Sequence, residues 1–356
     1  MIKHFKRFLV IGWALAGLGG GDGILPAVES RDIPGLTALT SGCAAGLRGL
    51  SAAAGGVVWA GGSGGTVLRS VDEGTSWRDV SVPGAEKLDF RDVQAFDSNR
   101  AVVISAGRPA VVYRTTDGGR IWEETFRSNQ AGVFFDSMAF RDDGSGVAFS
   151  DPVNGAFLVM TTEDGGGSWA RIPADRLPAP RDGEAGFAAS GTCVAVQGSD
   201  RIWIGTGGSV ARVIRSTDRG DNWEAVEAPI LSGTPSQGIF SLTFWDADHG
   251  VVVGGDYRDP DRRDAVIALT EDGGKTWSTP DVGPGGFRSA VAFRPARPGP
   301  ELVAVGTGGV DFSRDGGKSW QSVSREGYHA VAFAPDGSTA WVAGAEGRIA
   351  RLEFSR

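Results

Sequence analysis

The residues of this chain that are best suited to chemistry share one position in a recurring segment. Short segments that open on an aromatic residue or leucine begin at Leu47, Phe90, Phe135, Phe187, Phe240, Phe287 and Tyr328. The residue that follows is, in turn, Arg48, Arg91, Asp136, Ala188, Ser241, Arg288 and His329. A guanidinium presents a planar fork of donors that matches carboxylate, sulfate or phosphate. Three arginines and a histidine gathered at one place would therefore form a site for an anion, with Asp136 pairing with one arginine to orient it. The same cations would hold the Asp136 carboxyl ionised, which unfits it as a general acid. The competing expectation is structural: channels through proteins are commonly polar, and these side chains would then only satisfy one another.

Lengthened segments add further polar groups. Asp256, Tyr257 and Arg258 lie in one and Glu184 in another, while Asp151 of Ser150-Asp-Pro152 falls at a turn comparable to the first. Other chemistries lack their signatures. Gly61-Gly-Ser-Gly-Gly65 and Gly205-Thr-Gly-Gly208 sit in hairpin turns and miss the spacing of a dinucleotide fingerprint, and there is no His-Glu-x-x-His, calcium-loop or Gly-x-Ser-x-Gly pattern. No cofactor and no metal is expected.

The elements that must position these residues are visible as repeats. Six segments beginning at Ser70, Thr115, Thr162, Ser216, Thr270 and Ser313 read [S/T]-x-D-x-G-x-x-W without an insertion, and their aspartates lie 43 to 54 residues apart. Repeats of that length, each with one turn motif, mean stacked supersecondary units. The aspartate can bond the backbone of its own turn, the glycine can adopt a left-handed conformation, and the tryptophan offers a large surface to bury against the next unit.

Between successive motifs the order is constant: a strand opened by the aromatic residue, a second strand as in Arg201-Ile-Trp-Ile-Gly205, a glycine-rich turn, a third strand, the motif, and a strand at the tryptophan. Seven first strands occur but only six motifs, because the last repeat stops after three strands at Ile349–Phe354. Its missing fourth strand would be Gly35-Leu-Thr-Ala-Leu-Thr40, since an uncovered sheet edge is costly. The expected fold is all-β: a seven-bladed β-propeller of four-stranded antiparallel blades, the last closed by the N-terminal strand. A six-bladed ring with a partial sheet outside is the alternative. In such a ring, equivalent positions converge on the axis. The starts of the first strands would surround one mouth of the channel, on the face opposite the motif turns.

The repeated motif resembles the Asp-box, or bacterial neuraminidase repeat, whose acids are mostly scaffold and lie away from the substrate face. Two families with this repeat offer contrasting implications. Likeness to sialidases would make Arg48, Arg91 and Arg288 an arginine triad and Tyr257 or Tyr328 the nucleophile of a glycoside hydrolase, but the Arg-Ile-Pro signature is absent and no Tyr–Glu pair can be assigned. The seven blades and the Ser-x-Asp-Gly-Gly-x-x-Trp form are closer to the photosystem II stability/assembly factor family. That resemblance implies a non-catalytic binding protein with an arginine-rich contact surface for a protein or small anionic partner. Hydrolysis also needs two positioned carboxyl groups, and the aligned ring offers only Asp136.

The chain of 356 residues contains 56 glycines and carries a net charge of −8. It opens with Lys3, Lys6 and Arg7, then the apolar run Phe8–Leu18, as a secretory signal does. Residues 1–32 are expected to be a signal peptide and leader, and 33–356 a single domain that acts as a monomer in the periplasm or outside the cell, with no membrane span once the signal is removed. The acidity argues against a nucleic-acid partner. Cys43 and Cys193 are far apart and are expected to remain unpaired.

Overall fold

The structure, a computed structural model, describes residues 33–297 and 299–354; the expected signal segment lies outside them. It is a ring of seven antiparallel sheets. Blade 1 runs Leu47–Ala53, Val57–Gly62, Val67–Ser70 and Arg78–Asp79, and every residue of its second strand is buried while its fourth is exposed. That gradient gives the strands their composition: Val57-Val-Trp-Ala is covered on both faces and reads as a continuous apolar run. Blades 2, 3, 4, 5, 6 and 7 begin their innermost long strands at Asp89, Phe135, Val194, Gln237, Ala290 and Ala330.

Closure is carried by side chains and by one strand. Each of seven apolar clusters joins two neighbouring blades, and one of them packs Leu47, Leu50 and Val58 of blade 1 against Trp341 and Ile349 of blade 7. Gly35–Thr40 pairs with Arg348–Glu353 in unbroken antiparallel register, from Gly35 opposite Glu353 to Thr40 opposite Arg348. The N-terminal strand therefore closes blade 7 as its outermost strand.

The six motif turns share one hydrogen-bond scheme. In the fifth, the Thr270 hydroxyl donates to Asp272 Oδ1 at 2.9 Å and accepts the Gly274 N–H at 2.9 Å, while Asp272 Oδ1 accepts the Thr276 N–H at 2.9 Å. The glycine is required: its φ lies between +81° and +94° in all six turns. The motif tryptophans face the other way from the sequence expectation. Trp122, Trp169, Trp223, Trp277 and Trp320 pack into the clusters shared with the preceding blade, and the Trp122 indole N–H donates to Val80 O at 2.8 Å. The fully buried tryptophans are instead Trp59, Trp203 and Trp341, on second strands.

Blades 4 and 5 depart from the repeat. Phe187–Ser190 is not a strand; the inner strand of blade 4 is Val194–Gln197. Its aromatic opener is drawn elsewhere, because the Phe187 ring stacks on Phe240 of blade 5 at 3.8 Å. The extra residues before it form Glu184–Ala185, which pairs with Gly207–Gly208 and lengthens the inner edge of blade 5 to give a five-stranded sheet. The outer strand of blade 5 is reduced to a bridge between Leu269 and Ser278.

Candidate binding site at the channel mouth

The starts of the inner strands and the turns between second and third strands enclose a cavity of about 430 Å³. Its floor is a piece of the chain itself. Arg91 Nη1 donates to Ala188 O at 3.2 Å and Arg48 Nη1 to Ala189 O at 3.3 Å, from blades 2 and 1. Ser190 Oγ donates to Ser289 O of the approach to blade 6 at 2.7 Å, and Ser137 Oγ of blade 3 donates to Gly191 O at 2.8 Å. The segment Ala188–Gly191 thus crosses the channel and makes a blind cavity of what the repeat pattern presents as an open passage.

Five of the sequence-predicted residues meet there: Arg48, Arg91, Asp136, Tyr257 and His329. Arg48 has no ion pair among the described residues, and burial followed by repulsion from Arg91 pulls its pKa down. Arg91 is anchored by Asp89, whose carboxylate accepts from Nε at 2.7 Å. His329 is not the cation expected from its alignment: burial, with Arg48, Arg348 and Arg91 close by, lowers its pKa to about 4, so it is neutral at pH 7.

The two others lie elsewhere. Arg288 is buried against Asp311, accepted at 2.8 Å from Nε and again from Nη2, and does not line the cavity. Tyr328 is buried too, its hydroxyl donating to Glu326 at 3.0 Å, and desolvation raises its pKa. Glu184 is a scaffold residue that accepts from Arg212 Nε at 2.9 Å and from the Thr206 hydroxyl at 2.6 Å. Arg288 and Glu184 are therefore positioned by ion pairs internal to the fold.

Asp136 reverses its expected electrostatics. It is only 1% exposed, both carboxyl oxygens are buried without a hydrogen-bond partner, and no arginine pairs with it. Burial, then the nearby Asp151, raises its pKa well above the ordinary carboxyl range, outweighing the more distant pull of Arg91. Asp151, also in the cavity wall, accepts the Gly186 N–H at 2.9 Å and is pushed up by burial to about 6. The mouth therefore holds two carboxyl groups, where alignment finds one. Sequence reasoning also missed the aromatic wall: Phe240 meets Phe187 in a stack and Phe287 edge-on at 4.8 Å, with Tyr257 at 6.2 Å. The aromatic openers that signalled strand starts are themselves that wall.

Fold and site together define a seven-bladed β-propeller with a blind, charged and aromatic cavity at one mouth. Among known proteins the chain is similar to the photosystem II assembly lipoprotein Ycf48 of Synechococcus sp. (strain CC9902), at 25% identity over 232 residues. That match takes in 63% of this chain and 59% of the relative, so the chain spans less than two thirds of the relative's length. No family model matches. Solved structures with the same fold include Ycf48 bound to D1 peptide, with a TM-score of 0.64 at 16% identity over 92% of this chain and all of that one. Ycf48 from Cyanidioschyzon merolae gives 0.61 at 19% identity over 90% and 99% of the two chains. A GH74 enzyme from Niastella koreensis gives 0.61 at 16% identity, over 89% of this chain and 53% of that one.

Proposed function

We propose that this chain is a non-catalytic, assembly-factor-like propeller that captures a carboxylate-bearing segment of a partner protein, or a small anion of like chemistry, at the mouth formed by Arg48 and Arg91. The observation that carries the reading is Arg48: a largely buried guanidinium in an acidic protein, without an ion pair among the described residues, facing a cavity. A desolvated cation of this kind gains more from an incoming carboxylate than an exposed one does. The likeness to Ycf48, and the peptide carried by one Ycf48 structure, support a peptide partner. Residues 1–32 act as an export signal, the domain is 33–356, and the protein works as a monomer in the periplasm or outside the cell; fractionation that leaves the full-length chain in the cytosol overturns the location.

Calorimetric titration with acetyl-norleucyl-leucine and its C-terminal amide tests the site. The free carboxylate binds and the amide does not, and an Arg48→Gln/Arg91→Gln variant loses binding while it melts near the parent temperature, because a half-exposed pair such as Arg91–Asp89 contributes little to stability. Equal binding of acid and amide contradicts the reading. A second reading, a glycoside hydrolase of sialidase type, draws on the two carboxyl groups of raised pKa in one cavity. Turnover of a sialoside, lost on Tyr257→Phe, would decide for it.

A further inference from the structure

The charges of the mouth are sorted by sector. His329, Arg48 and Arg91 come from the consecutive blades 7, 1 and 2; Asp136 and Asp151 both come from blade 3; and Phe240 and Phe287, from blade 5 and the approach to blade 6, face the cavity with Phe187. A wall that served only to hold arginines would place its carboxylates on them. Here no hydrogen bond joins Asp136 to Arg91, whose fork is taken up by Asp89 and Ala188 O. Asp136 has neither oxygen satisfied, in a position where native proteins nearly always supply a partner. Space is kept for it: a Cβ on Gly186 would stand 2.4 Å from Asp136 Oδ2.

We propose that Asp136 and Asp151 form a subsite for a primary ammonium group, so that the mouth takes a chain end presenting a carboxylate to Arg48 and Arg91, an ammonium to the two aspartates and an apolar side chain to Phe240 and Phe287. An ammonium carries three donors and no acceptor, which suits two carboxyl groups whose oxygens are largely unspent. A metal ion suits them less, because no group of three His, Cys, Asp or Glu side chains gathers among the described residues. Burial that holds Asp151 at about 6 leaves it mostly ionised at pH 7, while Asp136 behind it stays protonated until a cation arrives.

This inference rests on the carboxylate-binding reading above, and the two fail separately. Acetyl-lysyl-leucine and acetyl-norleucyl-leucine differ by the ammonium alone, so titration of both against the full chain isolates its contribution. The lysyl peptide binds about tenfold more tightly, as a charge-assisted pair of modest strength requires. Asp151→Asn brings it down to the affinity of the norleucyl peptide, which is itself unchanged. Equal affinities in the unmodified protein overturn the ammonium subsite and leave the carboxylate site standing. A tenfold preference that survives in Asp151→Asn and in Asp136→Asn also overturns it. Failure of both peptides to bind removes both readings.

Discussion

Environment divides the acids of this chain into two populations. In the motif turns, the hydroxyl and N–H of Ser76, then the hydroxyl of Ser70, draw Asp72 down to about 2, and Asp164 falls to about 2 through Ser168 and Thr162. These exposed carboxylates add stability that is fully present above their ordinary pKa near 3.8 and is lost as pH falls toward 2. Asp151 runs the other way. Its folded pKa of about 6 lies above the ordinary value, so its contribution is complete below pH 3.8 and is lost as pH rises through 6. Asp151→Asn, whose amide oxygen can still accept the Gly186 N–H, is therefore expected to melt at a higher temperature than the parent at pH 8 and at the same temperature at pH 4; equal melts at pH 8 contradict this. Arg288 supplies the contrast with Arg48. Arg288→Gln leaves Asp311 buried without its counter-charge and should cost about 3–5 kcal/mol by denaturant titration, whereas Arg48→Gln should cost little. The register of Arg48, Arg91, Asp136 and His329 was legible because equivalent repeat positions converge. The partner of Arg288 was not: Asp311 sits two strands along the same blade, and no local spacing announces it.

The repeated turn was the most legible element, since its bonds run only between residues two to four apart in sequence. Which blade its tryptophan touches is a matter of inter-blade packing, and there the sequence reading pointed to the wrong neighbour. The energetic weight lies with the second-strand tryptophans. Trp203 is fully buried, stacks on Phe244 at 3.7 Å and donates to Gly273 O at 2.9 Å, whereas Trp277 is half-buried with its indole N–H unpartnered. Trp203→Ala should cost roughly 3–5 kcal/mol and Trp277→Ala distinctly less; the reverse order in chemical denaturation would mean that the motif tryptophans carry the ring. The crossing segment Ala188–Gly191 was invisible beforehand, because Phe187 matches the repeat pattern and only its stack on Phe240 takes it out of the strand.

For the whole molecule, seven first strands against six motifs led to a closed ring, and the structure closes it with Gly35–Thr40 on Arg348–Glu353. Deleting residues 33–42 should lower the melting temperature and broaden the transition, since Leu36 and Leu39 leave the clusters on either side of blade 7 and an edge strand is bared. The ring gives the mouth its chemistry by bringing to one cavity residues as far apart in sequence as Arg48 and His329. A crystal structure of the full chain with acetyl-norleucyl-leucine tests that most directly. The account predicts the peptide carboxylate within hydrogen-bond distance of Arg48 and Arg91 and its side chains against Phe240 and Phe287; a peptide seated on the face of the motif turns, or an empty mouth beside a peptide bound elsewhere, would contradict it.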